Sequence, residues 1–178
     1  VRDFSLTSSV KPQIILQVAQ LQNANYWTTN VITTGGVTDF DVIGLSHYSK
    51  WGTINTMPDI THIIRNLKTT YGKKIMVVEA GYPFTLQNAD TYNNIVGADA
   101  LVTGYPITEE GQYKYMKDLT QAIISGGGSG IMYWEPAWIT SSLHDLWGTG
   151  SSWENMTLFG FNSNVLPAMD FMNYPYKF

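Results

Sequence analysis

The stretch KKIMVVEAGYPFT, residues 73–85, decides the fold because it joins a run of buried-type residues to an ionisable side chain. Residues 75–78 form a short, continuous apolar run, which is typical of a strand that is covered on both faces. The run ends at Glu79, followed at once by a small residue and then by glycine, tyrosine and proline. A carboxylate in this position is costly to desolvate unless it is paired, hydrogen-bonded or chemically active. Glu79 is therefore the first candidate functional residue.

Three further segments have the same pattern of a short apolar run that ends in polar or aromatic residues. They are QIILQVA (13–19), FDVIGLSHY (40–48) and GIMYWEPAW (130–138). We expect all four segments to be parallel strands, since continuous apolar runs without clean alternation indicate strands buried on both faces.

Helical patterns separate these strands. Residues 57–72 place apolar side chains at three- and four-residue spacings, with proline near the start and glycine just past the end. Residues 108–128 begin with Thr108 as a candidate N-cap and end in three glycines. A weaker helix is predicted at roughly 23–34, and a short one near the C-terminus at 165–174. Strands that alternate with helices indicate parallel βαβ units in an α/β protein.

Two α/β topologies fit this alternation, an open doubly wound sheet and a (β/α)₈ TIM-type barrel. The sequence has neither the glycine-rich turn nor the Walker-type run that nucleotide-binding open sheets place after a strand. Aromatic and acidic residues follow the strands instead, where a barrel builds its active site. The barrel is favoured, but a complete one needs about 250 residues. We therefore expect residues 1–178 to be a single domain that covers the last four βα units, a half barrel.

The composition narrows the range of partners. Only 13% of residues are charged, the net charge is −4, and aromatic residues make up 13% of the chain. Without a basic cluster, neither nucleic acid nor an anionic membrane surface is an expected partner, and no apolar run has the length of a membrane helix. Uncharged polar groups and aromatic rings suit sugars, which offer hydroxyls and flat C–H faces. The absence of cysteine excludes disulfides and thiolate metal sites.

Three of the strand segments together carry a resemblance to a known family. The motifs TDFDVIGLSHYSKW (38–51), KKIMVVEAGYPFT and GIMYWEPAW, in this order, resemble the second half of the arabinogalactan endo-β-1,4-galactanases, glycoside hydrolase family 53. The resemblance implies a (β/α)₈ barrel that cleaves β-1,4-linked galactan with retention. It places Glu79 at the nucleophile position. It places the acid/base glutamate before the region that this chain covers.

The resemblance also assigns the residues around Glu79 to a sugar site. It implies that Trp134 forms the floor of the subsite for the transferred sugar, and that His47 and Tyr48 bind the nucleophile or the sugar. Trp51 and Trp138 either extend this aromatic platform or belong to the core. The predicted substrate-binding residues are His47, Tyr48, Trp51, Tyr82, Trp134, Glu135 and Trp138.

Glu135 is the only other carboxylate within a strand-end motif, so it is the alternative partner for Glu79. Retention requires two carboxyl groups about 5–5.5 Å apart. Because the resemblance places the acid/base earlier in the barrel, we expect Glu135 to be a supporting residue.

Two positions depart from the family pattern. Gln17 stands where many relatives have histidine, and an amide supplies a hydrogen bond without charge. In some relatives the loop after the nucleophile binds calcium, and this chain offers Asn88, Asp90 and Asn94 but has Tyr92 in place of the histidine ligand. Since calcium prefers six to eight oxygens and several charges, no cofactor is required in our prediction and calcium is a weak alternative.

A half barrel that carries only the nucleophile implies a partner. The expected partners are β-1,4-galactan, together with either a separate N-terminal half-barrel chain or a second copy of this chain. A third alternative is a half barrel whose edges are covered by its own loops. The resemblance implies a secreted, periplasmic or cell-surface location. The rival functions are a non-catalytic carbohydrate-binding fragment and another retaining β-glycosidase of the same barrel type.

Overall fold

The computed structural model describes residues 2–146 and 148–178. Its helices are α1 (Arg2–Thr7), α2 (Ala24–Thr28), α3 (Met57–Tyr71) and α4 (Glu109–Ser125). Its strands are β1 (Ile15–Ala19), β2 (Val42–His47), β3 (Lys74–Ala80), β4 (Ile131–Tyr133), β5 (His144–Asp145) and β6 (Gly148–Thr149). A π-helix (Thr29–Thr34) continues α2, and a 3₁₀-helix (Pro167–Asn173) lies near the C-terminus.

The main sheet has the order β1-β2-β3-β4, and every neighbouring pair is parallel. An open doubly wound sheet reverses its strand order and carries helices on both faces. Here the order follows the sequence, and in the described part of the chain α3 and α4 pack on the face that carries Ile43, Leu45, Ile75 and Val77. This is the arrangement of neighbouring units in a (β/α) barrel, as the sequence predicted.

The core lies between the sheet and helices α3 and α4. Side chains on one stripe of α3, namely Ile60, Ile64 and Leu67, are fully buried against it. Helix α4 contributes Tyr115, Met116, Leu119 and Ile123 in the same way. The helices therefore hold the strands from one side and leave the carboxyl ends of the strands free to build a site.

The predicted caps of the two long helices are confirmed. Helix α3 ends at Gly72, which adopts the left-handed conformation (φ 63°) that glycine accepts without strain. At the start of α4 the Thr108 hydroxyl accepts a hydrogen bond from the Gly111 amide at 3.1 Å. Both helix boundaries thus follow from local sequence signals.

Other elements differ in extent from the predictions. The fourth strand is only three residues long and ends at Tyr133, before the Trp-Glu pair that follows. The weak helix predicted at roughly 23–34 is a short α-helix that passes into π-helical turns, and the C-terminal helix is 3₁₀. Helix α1 and the antiparallel pair β5 and β6 carry no strong sequence pattern and were not predicted.

The second face of the sheet is open among the described residues. Ile15 on β1 is 39% exposed and Met132 on β4 is 48% exposed. On β2 the lack of a side chain at Gly44 lets Ile15 and Val78 approach each other, since an added Cβ would lie 2.7 Å from Ile15. This apolar face corresponds to the interior of a barrel. None of the helices in the described part of the chain is long and apolar enough to cross a bilayer.

Candidate active site

Glu79 lies at the carboxyl end of β3, and an irregularity in the strand determines where its side chain points. Leu45 of β2 pairs with Val77, but the next residue, Ser46, pairs with Glu79, so Val78 is an extra residue in β3. Without this bulge, strand alternation would place Glu79 on the same face as the buried Val77. The bulge instead turns Glu79 to the open face of the sheet.

Both carboxylate oxygens of Glu79 are hydrogen-bonded. The Gln17 side-chain amide donates to Oε1 at 2.6 Å and also donates to the Ser46 hydroxyl at 2.8 Å. The Tyr48 hydroxyl donates to Oε2 at 3.3 Å. Two side chains, one from β1 and one from the residue that follows β2, thus hold one half-buried carboxylate in a fixed orientation.

The Tyr48 hydroxyl remains a hydrogen-bond donor to Glu79 at ordinary pH. Burial raises the pKa of the Tyr48 phenol well above its usual range, and the neighbouring charge of Glu79 raises it further. The charge of Glu135 acts in the same direction. The phenol therefore keeps its proton and can donate to the carboxylate.

An aromatic cluster packs around Tyr48, next to Glu79. The Tyr48 ring makes edge contacts with Trp51 and Trp153, at centroid distances of 5.5 and 5.6 Å. Trp153 is buried, whereas Trp51 is 43% exposed. Trp138 is partly buried against the same cluster. Of these rings, only Trp51 offers a large exposed surface beside Tyr48.

Trp134 and Glu135 follow β4 directly. Trp134 is 41% exposed, its amide donates to the Ala80 carbonyl at 2.9 Å, and its carbonyl accepts from the Trp153 indole at 3.3 Å. Glu135 is exposed and has a positive φ of 46°, which is uncommon for a residue other than glycine. The backbone after β4 is thus tied to the end of β3, where Glu79 lies.

His47 lies on the opposite face of β2 from Ser46. It is 1% exposed, and its Nε2 lies 2.9 Å from the Tyr115 hydroxyl of α4. Burial lowers the pKa of His47 to about 4. The structure thus places His47 in the core between sheet and helix, not beside Glu79.

Tyr82 is also a core residue. It is fully buried, and its ring stacks on Tyr115 at a centroid distance of 4.1 Å. Its hydroxyl donates to the Tyr105 carbonyl at 2.6 Å and accepts from the Val102 amide at 3.0 Å. Tyr82 therefore anchors the loop after β3, and its side chain has no surface to offer to a ligand.

The candidate calcium ligands bind protein donors instead. Asn94 donates to Asn88 at 2.6 Å. The Asp90 carboxylate accepts from the backbone amides of Tyr92 and Ser151 at 2.7 and 2.9 Å and from the Thr140 hydroxyl. Although desolvation opposes it, these hydrogen bonds hold the pKa of Asp90 below its ordinary value. Within residues 2–146 and 148–178 no three His, Asp or Glu side chains form a metal-binding group. The residues present do not fit a calcium ion.

Comparison with known proteins decides the family. The sequence profile described as Glycosyl hydrolase family 53 matches residues 1–172. The chain belongs to this family. A galactanase of Cellvibrio japonicus, named arabinogalactan endo-beta-1,4-galactanase, is 40% identical over 99% of this chain and 47% of its own length. A Bacillus subtilis protein named endo-beta-1,4-galactanase is 30% identical over 76% of this chain and 39% of its own. The chain spans about half the length of the curated relatives it matches.

Solved structures of family 53 share the fold. The catalytic domain from Ignisphaera aggregans superimposes on this chain with a TM-score of 0.79 at 32% identity. The match covers 93% of this chain and 47% of that domain. The structure of two fungal beta-1,4-galactanases gives a TM-score of 0.70 at 27% identity, over 94% of this chain and 49% of that one. The four-stranded sheet is therefore half of a (β/α)₈-type barrel in an α/β protein.

Within this family 53 half barrel, sequence reasoning missed several contributors to the site. Ser46 is a small polar residue in a buried strand, and that contrast was the only local signal of its contact with Gln17. Trp153 lies far along the chain in a loop without regular pattern. Gln112, fully buried on α4, donates to the Tyr82 carbonyl at 2.9 Å and fixes the backbone after β3. These contacts arise only when distant segments meet.

Proposed function

We propose that this chain supplies the nucleophile half of a retaining endo-β-1,4-galactanase, with Glu79 as the nucleophile. The observation that carries the proposal is the Glu79 carboxylate at the carboxyl end of a barrel strand, held by Gln17 and Tyr48 and turned to the open face by a bulge. Family membership supports a hydrolase. The names of the Cellvibrio and Bacillus relatives support β-1,4-galactan as the substrate.

In the proposed reaction a Glu79 oxygen attacks the anomeric carbon of a galactosyl unit. A new bond forms between this oxygen and C1, and the bond from C1 to the leaving oxygen breaks. The leaving oxygen keeps the bonding electron pair and takes a proton from a carboxylic acid. Water, deprotonated by the same group, then attacks C1 and releases Glu79. Because the configuration is inverted twice, the product retains the β configuration.

The proton donor in this scheme is a second carboxyl group about 5–5.5 Å from the nucleophile. Glu135 is a poor candidate, since it is exposed and the family resemblance places the acid/base earlier in the barrel. We propose that the acid/base belongs to a first half barrel that covers the open face around Ile15 and Met132. A second copy of this chain is the alternative partner, and it would bring a second Glu79 to the site but not the acid/base glutamate of the family.

The aromatic residues define the proposed sugar-binding surface. Trp134 and Trp51 are each about two-fifths exposed. The Trp51 ring contacts Tyr48, and the Trp134 amide donates to the carbonyl of Ala80, the residue after Glu79. A ring with one free face can stack on the C–H face of a pyranose while the sugar's hydroxyls remain free for hydrogen bonds. We propose Trp134 as the floor of the subsite and Trp51 as its extension. Trp138 packs against the buried part of this aromatic cluster. Polysaccharide as substrate also favours action outside the cytoplasm.

The test begins with reconstitution. The chain is mixed with the part of the Cellvibrio japonicus galactanase that it does not match, and sugar release from β-1,4-galactan is measured. We expect turnover in the mixture and none by the chain alone. Binding of galactan without turnover in any mixture would favour the carbohydrate-binding fragment and would contradict the proposed enzyme.

Glu79 itself is tested by covalent trapping. An activated 2-deoxy-2-fluoro-β-galactobioside should label the reconstituted enzyme, and peptide mapping should find the sugar on Glu79. Glu79→Gln should reduce turnover by more than about a thousandfold, while galactan binding persists because the amide has the same shape. Glu110→Gln, on the exposed surface of α4, is the matched control. A label on another residue, or normal turnover by Glu79→Gln, would remove Glu79 from the mechanism.

A further inference from the structure

Gln17 makes the shorter of the two hydrogen bonds to the proposed nucleophile. Its amide lies 2.6 Å from Oε1 of Glu79, whereas the Tyr48 hydroxyl lies 3.3 Å from Oε2. Both hydrogens of the Gln17 amide nitrogen are used, because the same nitrogen donates to the Ser46 hydroxyl at 2.8 Å. The amide is therefore fixed at two points and presents one N–H to the carboxylate.

The strand register explains how Gln17 reaches this place. Gln17 on β1 pairs with Gly44 on β2, whereas Glu79 on β3 pairs with Ser46. The Gln17 side chain must therefore reach across β2 and from the level of Gly44 to that of Ser46, toward the carboxyl ends of the strands. A glutamine side chain is long enough to do so. An asparagine or serine at position 17 would be too short, and so residue length as well as chemistry is specified here.

We propose that Gln17 is a positioning residue that fixes the orientation of Glu79 and favours its ionised form with a donor whose charge never changes. This inference rests on the proposed role of Glu79 as nucleophile. An amide neither gains nor loses a proton in the working pH range, so the donor that faces the carboxylate is the same at every working pH. A histidine in this position would add a positive charge in acid, and a carboxylate would add a negative one.

The neighbourhood contains few other groups that would respond to pH. In the described chain, three titratable groups lie at the neighbouring strand ends. Tyr48 follows β2, Tyr133 is the last residue of β4, and Glu135 lies after β4. The two tyrosines remain neutral because burial raises their pKa above the ordinary value. Glu135 is the remaining ionisable neighbour, so each experiment is repeated in the Glu135→Gln background.

A series of substitutions at Gln17 tests the inference on the chain itself. The chain is labelled with ¹³C at the glutamate side-chain carboxyls, and the Glu79 signal is assigned by its loss in Glu79→Gln. We expect the midpoint of the Glu79 titration to rise in the order Gln17→His, wild type, Gln17→Ala, Gln17→Glu. A purely structural role would not produce this order. Gln121→Ala, which removes the same side chain from α4, is the matched control and should leave the midpoint unchanged.

Kinetics of the reconstituted enzyme provide the second measurement. Gln17→Ala should lower kcat/KM by about 10- to 100-fold, the effect of losing one hydrogen bond to a charged group. The acidic limb of its pH profile should move to higher pH, while KM changes little. If Glu79 is trapped by the fluorosugar but the midpoints of Gln17→Ala and Gln17→Glu equal that of the wild type, the inference about Gln17 is wrong. If Glu79 is not trapped, the proposed function fails first, and the titration still decides whether Gln17 controls this carboxylate.

Discussion

The buried His47 predicts a specific loss of stability in acid. The folded protein holds His47 with a pKa of about 4, against an ordinary value of 6.5, because burial disfavours the charged ring. Its Nδ1 has no hydrogen-bond partner among the described residues, so a proton there would be buried without an acceptor. The unfolded chain therefore binds a proton that the folded chain does not bind. As a result, the free energy of unfolding falls as the pH decreases through 6.5 towards 4.

The size of the effect follows from these two values. Linkage gives a loss of about 2 kcal/mol between pH 7 and pH 5, and about 3 kcal/mol by pH 4. Urea unfolding of the chain, followed by tryptophan fluorescence at each pH, measures it. His47→Gln keeps a polar group near the Tyr115 hydroxyl but cannot titrate. On acidification its free energy of unfolding should therefore fall less than that of the wild type, by the amount given above.

The comparison between wild type and variant isolates His47 from other titrating groups. The carboxylates of Asp41, Asp90 and Asp99 have lowered pKa values, so their contributions decline only at more acidic pH and are shared by both proteins. His62→Gln, which replaces an exposed histidine on α3, is the matched control. Parallel pH dependence of the wild type and His47→Gln would refute the reasoning.

Three further predictions concern the packing around the site. Tyr82→Phe removes a hydroxyl that binds two backbone groups of the neighbouring loop and should cost about 1–3 kcal/mol in urea unfolding; unchanged stability would contradict its anchoring role. Gly111→Ala would place a Cβ 1.8 Å from the Pro106 carbonyl and should cost more than about 2 kcal/mol, whereas Gly130→Ala, whose nearest contact is 3.6 Å, should be mild. Asp90→Ala should lower Tm because three donors lose their acceptor, while a chelator should leave the wild-type Tm unchanged; a drop with chelator would restore the calcium hypothesis.

Local sequence patterns were sufficient for the four strands of the main sheet and for the two long helices. The apolar runs gave the four parallel strands, and the cap residues placed the boundaries of α3 and α4. The same patterns located Glu79 at the end of a strand. These predictions succeeded because capping, helical periodicity and strand burial depend on residues that are close in sequence.

The face on which each strand-end residue lies could not be predicted in this way. His47 and Ser46 are adjacent, yet one enters the core and the other joins the site, because successive side chains of a strand point to opposite faces. The extra residue at Val78 then reverses the alternation for Glu79.

The sequence by itself determined the order of the strands and helices and the position of the carboxylate along the chain. Only the tertiary structure decided its orientation and its partners, Gln17 of β1 and Tyr48, the residue after β2. The physical reason is that a bulge and its hydrogen bonds form between neighbouring strands, and the register between strands is set by contacts among residues that are distant in sequence.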